Sequence, residues 1–161
     1  MRAAFLAAVL ALGLAGPALA APVVAQVKVS VGPGVLKKSD ILGPREIQDL
    51  TASLERSVER RIKPVAGGGT LTLVIEDAVP NRPTPQQLSS TPGLSIESFG
   101  VGGARISGDY VDASGASTPI AYSWYENDIR WARYGATWHD AETAFDKLAM
   151  RLSKDQFGEA R

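Results

Sequence analysis

The residues that could carry chemistry in this chain are few. There is one histidine, His139, and no cysteine, which excludes an HExxH zinc centre, a thiolate metal site and a thiol nucleophile. Gly93-Leu94-Ser95-Ile96-Glu97 opens like the turn that exposes a hydrolase serine, but Glu97 stands where the closing glycine is needed. Gly100-Val101-Gly102-Gly103 matches neither the dinucleotide fingerprint nor the phosphate loop. The element after it reads as a strand, so no helix N-terminus follows to receive an anion. These glycines are expected to form a kink or bulge. Asp109, Asp112, Glu126 and Asp128 flank two neighbouring strands and form the one set able to supply an acid and a base for a small hydrolase. Turns and strand ends collect acids for solvation in any case. No pattern calls for a metal or a cofactor.

Binding chemistry is better supplied. Trp124, Trp131 and Trp138 recur every seven residues, with Tyr122, Tyr125 and Tyr134 among them. Trp124 falls on the buried side of a strand and Trp138 on the buried side of a helix, which leaves Trp131, Tyr125 and Tyr134 without an assigned structural role. A second candidate is the stretch 79–93, where Pro80, Pro83, Pro85 and Pro92 remove donors and stiffen the backbone. It reads as a long, extended loop without regular structure, and such loops inside compact domains are often functional. By elimination, the expected binding residues are Arg82, Gln86 and Gln87 of this loop together with Trp131 and Tyr134. Proline restraint lowers the ordering cost of binding, and arginine and tryptophan are frequent hot-spot residues.

The elements that must position these residues are legible from periodicity. Val23, Ala25, Val27, Val29 and Val31 alternate with Val24, Gln26, Lys28 and Ser30 as in a strand with one buried face. Gly43-Pro44 then opens a helix in which Ile47, Leu50, Leu54, Val58 and Ile62 share a face, with Glu46, Asp49, Glu55 and Arg56 on the solvated side. Leu71, Leu73 and Ile75 mark a second strand. A strand, a helix and a strand in this order predict a right-handed crossover and parallel pairing.

Ile106 and Tyr110, then Ile120, Tyr122 and Trp124, mark two further strands. A three-residue loop, Ala113-Ser114-Gly115, pairs Tyr110 with Thr118 and Ile106 with Tyr122 and keeps both apolar sets on one face. A two-residue turn would split them. Pro119 cannot donate to a ladder and places the last strand at an edge. Thr137 and Asp140 form a capping pattern before a helix whose Trp138, Ala141, Phe145, Leu148 and Leu152 face inward, with Asp140 and Lys147 on the outer side. At roughly 1.5–3 kcal/mol per large side chain buried, this helix supplies a major part of the core.

The N-terminus carries Arg2, an apolar run from Ala3 to Leu14 and Ala18-Leu19-Ala20, the pattern of a cleaved signal peptide over residues 1–20. The expected mature domain is 21–161. Cleavage moves the formal charge from 17 − 17 = 0 to 16 − 17 = −1, and this balance supports no nucleic-acid partner. The apolar run is too short for an ordinary membrane span.

The fold expected is α+β, a two-layer sandwich of about four mixed strands with two helices on one face, in the order β-α-β-β-β-α. The function expected is that of an exported, periplasmic or secreted, non-enzymatic accessory or binding domain of the bacterial envelope, its partner an envelope protein or cell-wall component. A small hydrolase and a structural subunit of an envelope assembly are the alternatives.

Overall fold

The alternation of apolar side chains produces a four-stranded mixed sheet whose order is the chain order, β1-β2-β3-β4, in a computed structural model that describes residues 22–132 and 135–157. Its strands are β1 (Val24–Val31), β2 (Gly69–Val79), β3 (Gly103–Val111) and β4 (Ser117–Tyr125). The helices are α1 (Pro33–Leu36), α2 (Pro44–Arg61), α3 (Pro85–Ser90), α4 (Ile129–Ala132) and α5 (His139–Leu152). β1 and β2 pair in parallel through the α2 crossover, and the other pairs are antiparallel. The proposed leader and Tyr134 lie outside the described residues.

The hairpin has the expected register, with Tyr110 opposite Thr118 and Ile106 opposite Tyr122. Gly115 takes φ +89°, the left-handed conformation such a loop requires. Asp112 closes the turn by accepting hydrogen bonds from the Ser114 and Ala116 amides. Pro119 lies on the edge strand.

α2 and α5 cover one face of the sheet, α2 over β1 and α5 over β3 and β4, and they pack against each other. Between them and the sheet lie Leu50, Leu54, Val58, Leu71, Leu73, Ile75, Ile106, Phe145, Leu148 and Leu152, all buried. The Lys147 ammonium sits over the Trp124 ring at 3.7 Å, so its stem covers apolar surface instead of pointing into solvent as expected. Tyr110 stacks on Phe157 at the hairpin end.

Several expectations are corrected by local geometry. Val23 and Ala25 are exposed while Val24 is buried, because the β1 register shifts between Val24 and Gln26 and one extra residue reverses the faces. Glu46 is buried, its carboxylate turned back to accept from the Gly43 amide at 3.0 Å at the start of α2. The link after β1 contains α1, whose Val35 is fully buried. The stretch 79–93 is not irregular throughout. Val79 completes β2, and α3 forms inside it with Thr84 as N-cap.

The largest correction is at the start of α5. Trp138, half-buried, occupies the N-cap with no side-chain cap, so Thr137 and Asp140 do not form the expected capping pair. Asp140 is buried, 3% exposed, and it faces Asn81, which is 1% exposed. The Asn81 Nδ2 donates to Asp140 Oδ2 at 2.5 Å, and the Asp140 amide donates to Asn81 Oδ1 at 2.8 Å. The same carboxylate oxygen accepts from the Gly102 amide at 2.8 Å, and Asn81 Nδ2 also donates to the Gly100 carbonyl. Backbone bonds from Asn81 N to Thr137 O and from Gly100 N to Asn81 O complete the network. It ties together the exit of β2, the entry to β3 and the start of α5.

Truncating either side chain strands buried donors and acceptors, each costing about 1–3 kcal/mol and more beside a charge. Asn81→Ala is therefore expected to lower the urea-unfolding free energy by at least about 2 kcal/mol. An unchanged midpoint would show that water replaces the amide without loss.

Candidate functional site

Two surfaces stand out once the fold is built, and both lie toward the end of the sheet where β2 and β4 finish and β3 begins. The first starts from the proline-rich segment. Thr84 Oγ1 donates to the Ile41 carbonyl at 2.5 Å, and Thr84 and Gln87 cap α3 reciprocally, Thr84 N to Gln87 Oε1 at 3.1 Å and Gln87 N to Thr84 Oγ1 at 3.2 Å. Arg82 donates from Nε to the Gly135 carbonyl at 2.8 Å and from Nη1 to the Ile96 carbonyl at 3.2 Å. The segment is thus tied to the α1–α2 link, to the chain before α5 and to residues 94–100. Under it runs an open groove of about 300 Å³, lined by Ile41, Val79, Arg82, Gln87, Leu94 and Phe99.

Of the expected binding residues, Arg82 and Gln87 therefore share one groove and also hold the segment together. Gln86 is exposed and lines a different depression, beside Gly43, Pro44, Thr137 and Trp138. Trp131, on α4, is 67% exposed, the highest value among the exposed large apolar residues. Tyr134 lies outside the described residues. What the sequence did not show is the apolar company. Eleven large apolar side chains are exposed among the described residues, and five of them, Ile96, Phe99, Val101, Ile129 and Trp131, come from segments 96–101 and 129–131. Segment 96–101 leads into β3 and segment 129–131 follows β4, so both adjoin the sheet end at which Gly103 pairs with Tyr125 and Glu126 N donates to Gly102 O, and Arg82 bridges Ile96 to Gly135.

The second surface lies on the uncovered face of the sheet. Asp77 on β2 forms a 2.5 Å ion pair with Lys38 and accepts the Tyr125 hydroxyl at 2.6 Å. Lys38 also donates to the Ala78 carbonyl. Next to Asp77, Glu76 accepts from Ser107 Oγ at 2.6 Å, and its carboxylate occupies the space that a side chain at Gly32 would fill, 2.3 Å from a Cβ there. Burial alone would raise the Asp77 carboxyl, but hydrogen bonds from Lys38 and Tyr125 and the charges of Lys38 and Arg105 outweigh it, and the group titrates below the ordinary carboxylate range. Burial, and then the bond to Asp77 and its negative charge, push the Tyr125 phenol far above its usual value, so at neutral pH it is a fixed neutral donor.

The four carboxylates considered for acid–base work do not converge. Gly103 pairs with Tyr125 at one end of the hairpin and Val111 with Ser117 at the other. Eight residues at about 3.3 Å each separate the Asp109–Asp112 end from the Glu126–Asp128 end by roughly 26 Å. Asp112 closes the turn, Glu126 accepts from the Asn127 and Asp128 amides, and Asp128 pairs with Arg130 at 2.5 Å. Among the described residues no cluster of three His, Asp or Glu is placed to hold a metal ion, and no helix is long and apolar enough to cross a membrane. No protein-family model matches this chain, and no curated protein matches it in sequence.

The Asp77 interaction has a defined pH dependence. Its folded pKa lies below the unfolded value, so the stabilisation is complete above the unfolded pKa near 3.8 and is lost as pH falls through the folded one. The stability difference between the native protein and Asp77→Asn is expected to stay constant between about pH 5 and pH 7 and to narrow below about pH 4. Urea unfolding of both proteins across that range checks it, and a constant difference down to the lowest pH would remove the ion pair from the account.

Proposed function

We propose that the chain is an exported, non-enzymatic binding domain of the bacterial envelope that docks an envelope protein partner at the end of the sheet that residues 96–101 and 129–131 adjoin. The observation that carries this reading is the concentration there of Ile96, Phe99, Val101, Ile129 and Trp131, all exposed to solvent. Isolated exposed apolar residues need no explanation, whereas a cluster beside a groove is the usual mark of a contact surface. Export rests on the leader-like N-terminus, Arg2 followed by the apolar run and Ala18-Leu19-Ala20.

In this reading Trp131 and Phe99 are the anchors, and the groove beside Phe99 receives an apolar side chain of the partner. Arg82 and Gln87 act by position, holding the wall of that groove through the Gly135 and Ile96 carbonyls and the α3 cap. The bound loop has little left to order, since its prolines and Thr84 fix it before any encounter. A surface of this kind works by burying apolar area with a polar rim around it.

Trp131→Ala and Phe99→Asp are each expected to weaken capture of the partner from a solubilised envelope fraction by about 2 kcal/mol, near thirtyfold, with the thermal midpoint within a few degrees of the native protein. Undiminished capture by both variants would remove this surface as the docking site.

A further inference from the structure

The uncovered sheet face holds an arrangement that the apolar end does not explain. Tyr125 leaves β4, yet its hydroxyl bonds to Asp77 on β2, with β3 between them. Strands lie about 4.8 Å apart, so the side chain must span roughly two strand spacings and can do so only by lying along the sheet. It crosses at Gly103, where a Cβ would stand 2.6 Å from the ring Cδ1. The ring thus packs against the Gly103 backbone, and the residue remains 38% exposed. The Asp77 bond, itself braced by Lys38, prevents the ring from swinging away.

The surroundings of this platform are polar and electrically balanced. Two cations, Lys38 and Arg105, face two anions, Glu76 and Asp77, and Ser107 and Ser123 add hydroxyls on the same face. A polyanion would meet two carboxylates, and a basic peptide would meet the ammonium and the guanidinium. A neutral ligand that offers one apolar face and a rim of groups able both to donate and to accept meets neither penalty. A pyranose ring has that form: its C–H face stacks on an aromatic plane and its hydroxyls radiate toward charged and hydroxylic side chains.

We propose that Tyr125, with Arg105, Glu76 and Ser123 around it, forms a binding site for a neutral pyranose oligosaccharide on the open face of the sheet. It is a second site, separate from the docking surface centred on Trp131. Tyr125 supplies the stacking plane, Arg105 and Ser123 donate to sugar oxygens, and the Glu76 carboxylate accepts from sugar hydroxyls. Asp77 and Lys38 are positioning residues that hold the phenol flat.

The test is titration of the mature domain with cellotetraose, maltotetraose and chitotetraose at millimolar concentration, followed by amide chemical shifts. Saturable shifts at Gly103, Arg105 and Ser123 with at least one of the three are expected, weakened at least tenfold by Tyr125→Ala. If Tyr125→Ala fails to fold, Arg105→Ala serves in its place, because Arg105 is exposed and its loss should also weaken binding several-fold without unfolding the sheet. Absence of saturable shifts with all three sugars, or shifts unchanged in the folded variants, would overturn the proposal. Trp131-dependent capture of a protein partner is measured separately, so either site can fail while the other stands.

Discussion

The pairing of Asn81 with Asp140 is the constraint on which the apolar end of this molecule depends. Fifty-nine residues apart in sequence, the two side chains are both almost fully buried and exchange hydrogen bonds with each other and with the backbone at Gly100 and Gly102. A buried carboxylate without partners is very costly, and a buried amide left unpaired costs less but still about 1–3 kcal/mol. No buried side-chain polar atom among the described residues lacks a hydrogen bond. The pair therefore accepts only one relative placement of the β2 exit, the β3 entry and the start of α5. The segments that carry Arg82, Gln87 and Phe99 are anchored at this junction.

The two faces of the sheet divide the work. The covered face holds the Leu, Ile and Phe side chains of α2 and α5 and supplies the stability of a domain that has no disulfide to assist it. That freedom leaves the other face to small and polar residues, Thr72, Ser107, Ala121 and Ser123 among them, with Tyr125 laid flat across the sheet. Glycine is used where the chain must come close: Gly103 under the Tyr125 ring and Gly32 against the Glu76 carboxylate. At both points any side chain would displace a polar group that the surface arrangement uses.

How much was legible before the structure depends on the range of the interaction concerned. The hairpin register follows from parity, because only an odd loop puts Ile106 and Tyr122 on one face, and the pairing obeys it. The faces of α2 and α5 follow from a 3.6-residue period. The departures come from contacts that periodicity does not contain. A shifted register at Ala25 reverses two valines and an alanine. A glutamate, Glu46, folds back onto its own helix start, and Asp140 turns inward to meet Asn81.

The candidate site divides along the same line. Trp131 stands out in the sequence because neither a strand nor a helix face accounts for it, and it is exposed. Arg82 and Gln87 stand out on the same ground; the Arg82 partners, the Gly135 and Ile96 carbonyls, leave no trace in residue type, whereas Thr84-x-x-Gln87 carries the capping-box pattern that the structure forms at α3. By itself, then, the sequence determined the layers, the strand order along the hairpin and the crossover, because each rests on the repeat of apolar side chains along a short stretch. Only the tertiary structure decided which polar residues meet. Hydrogen bonds between Asn81 and Asp140, or between Tyr125 and Asp77 across an intervening strand, depend on where distant backbone arrives, and apolar periodicity carries no record of that.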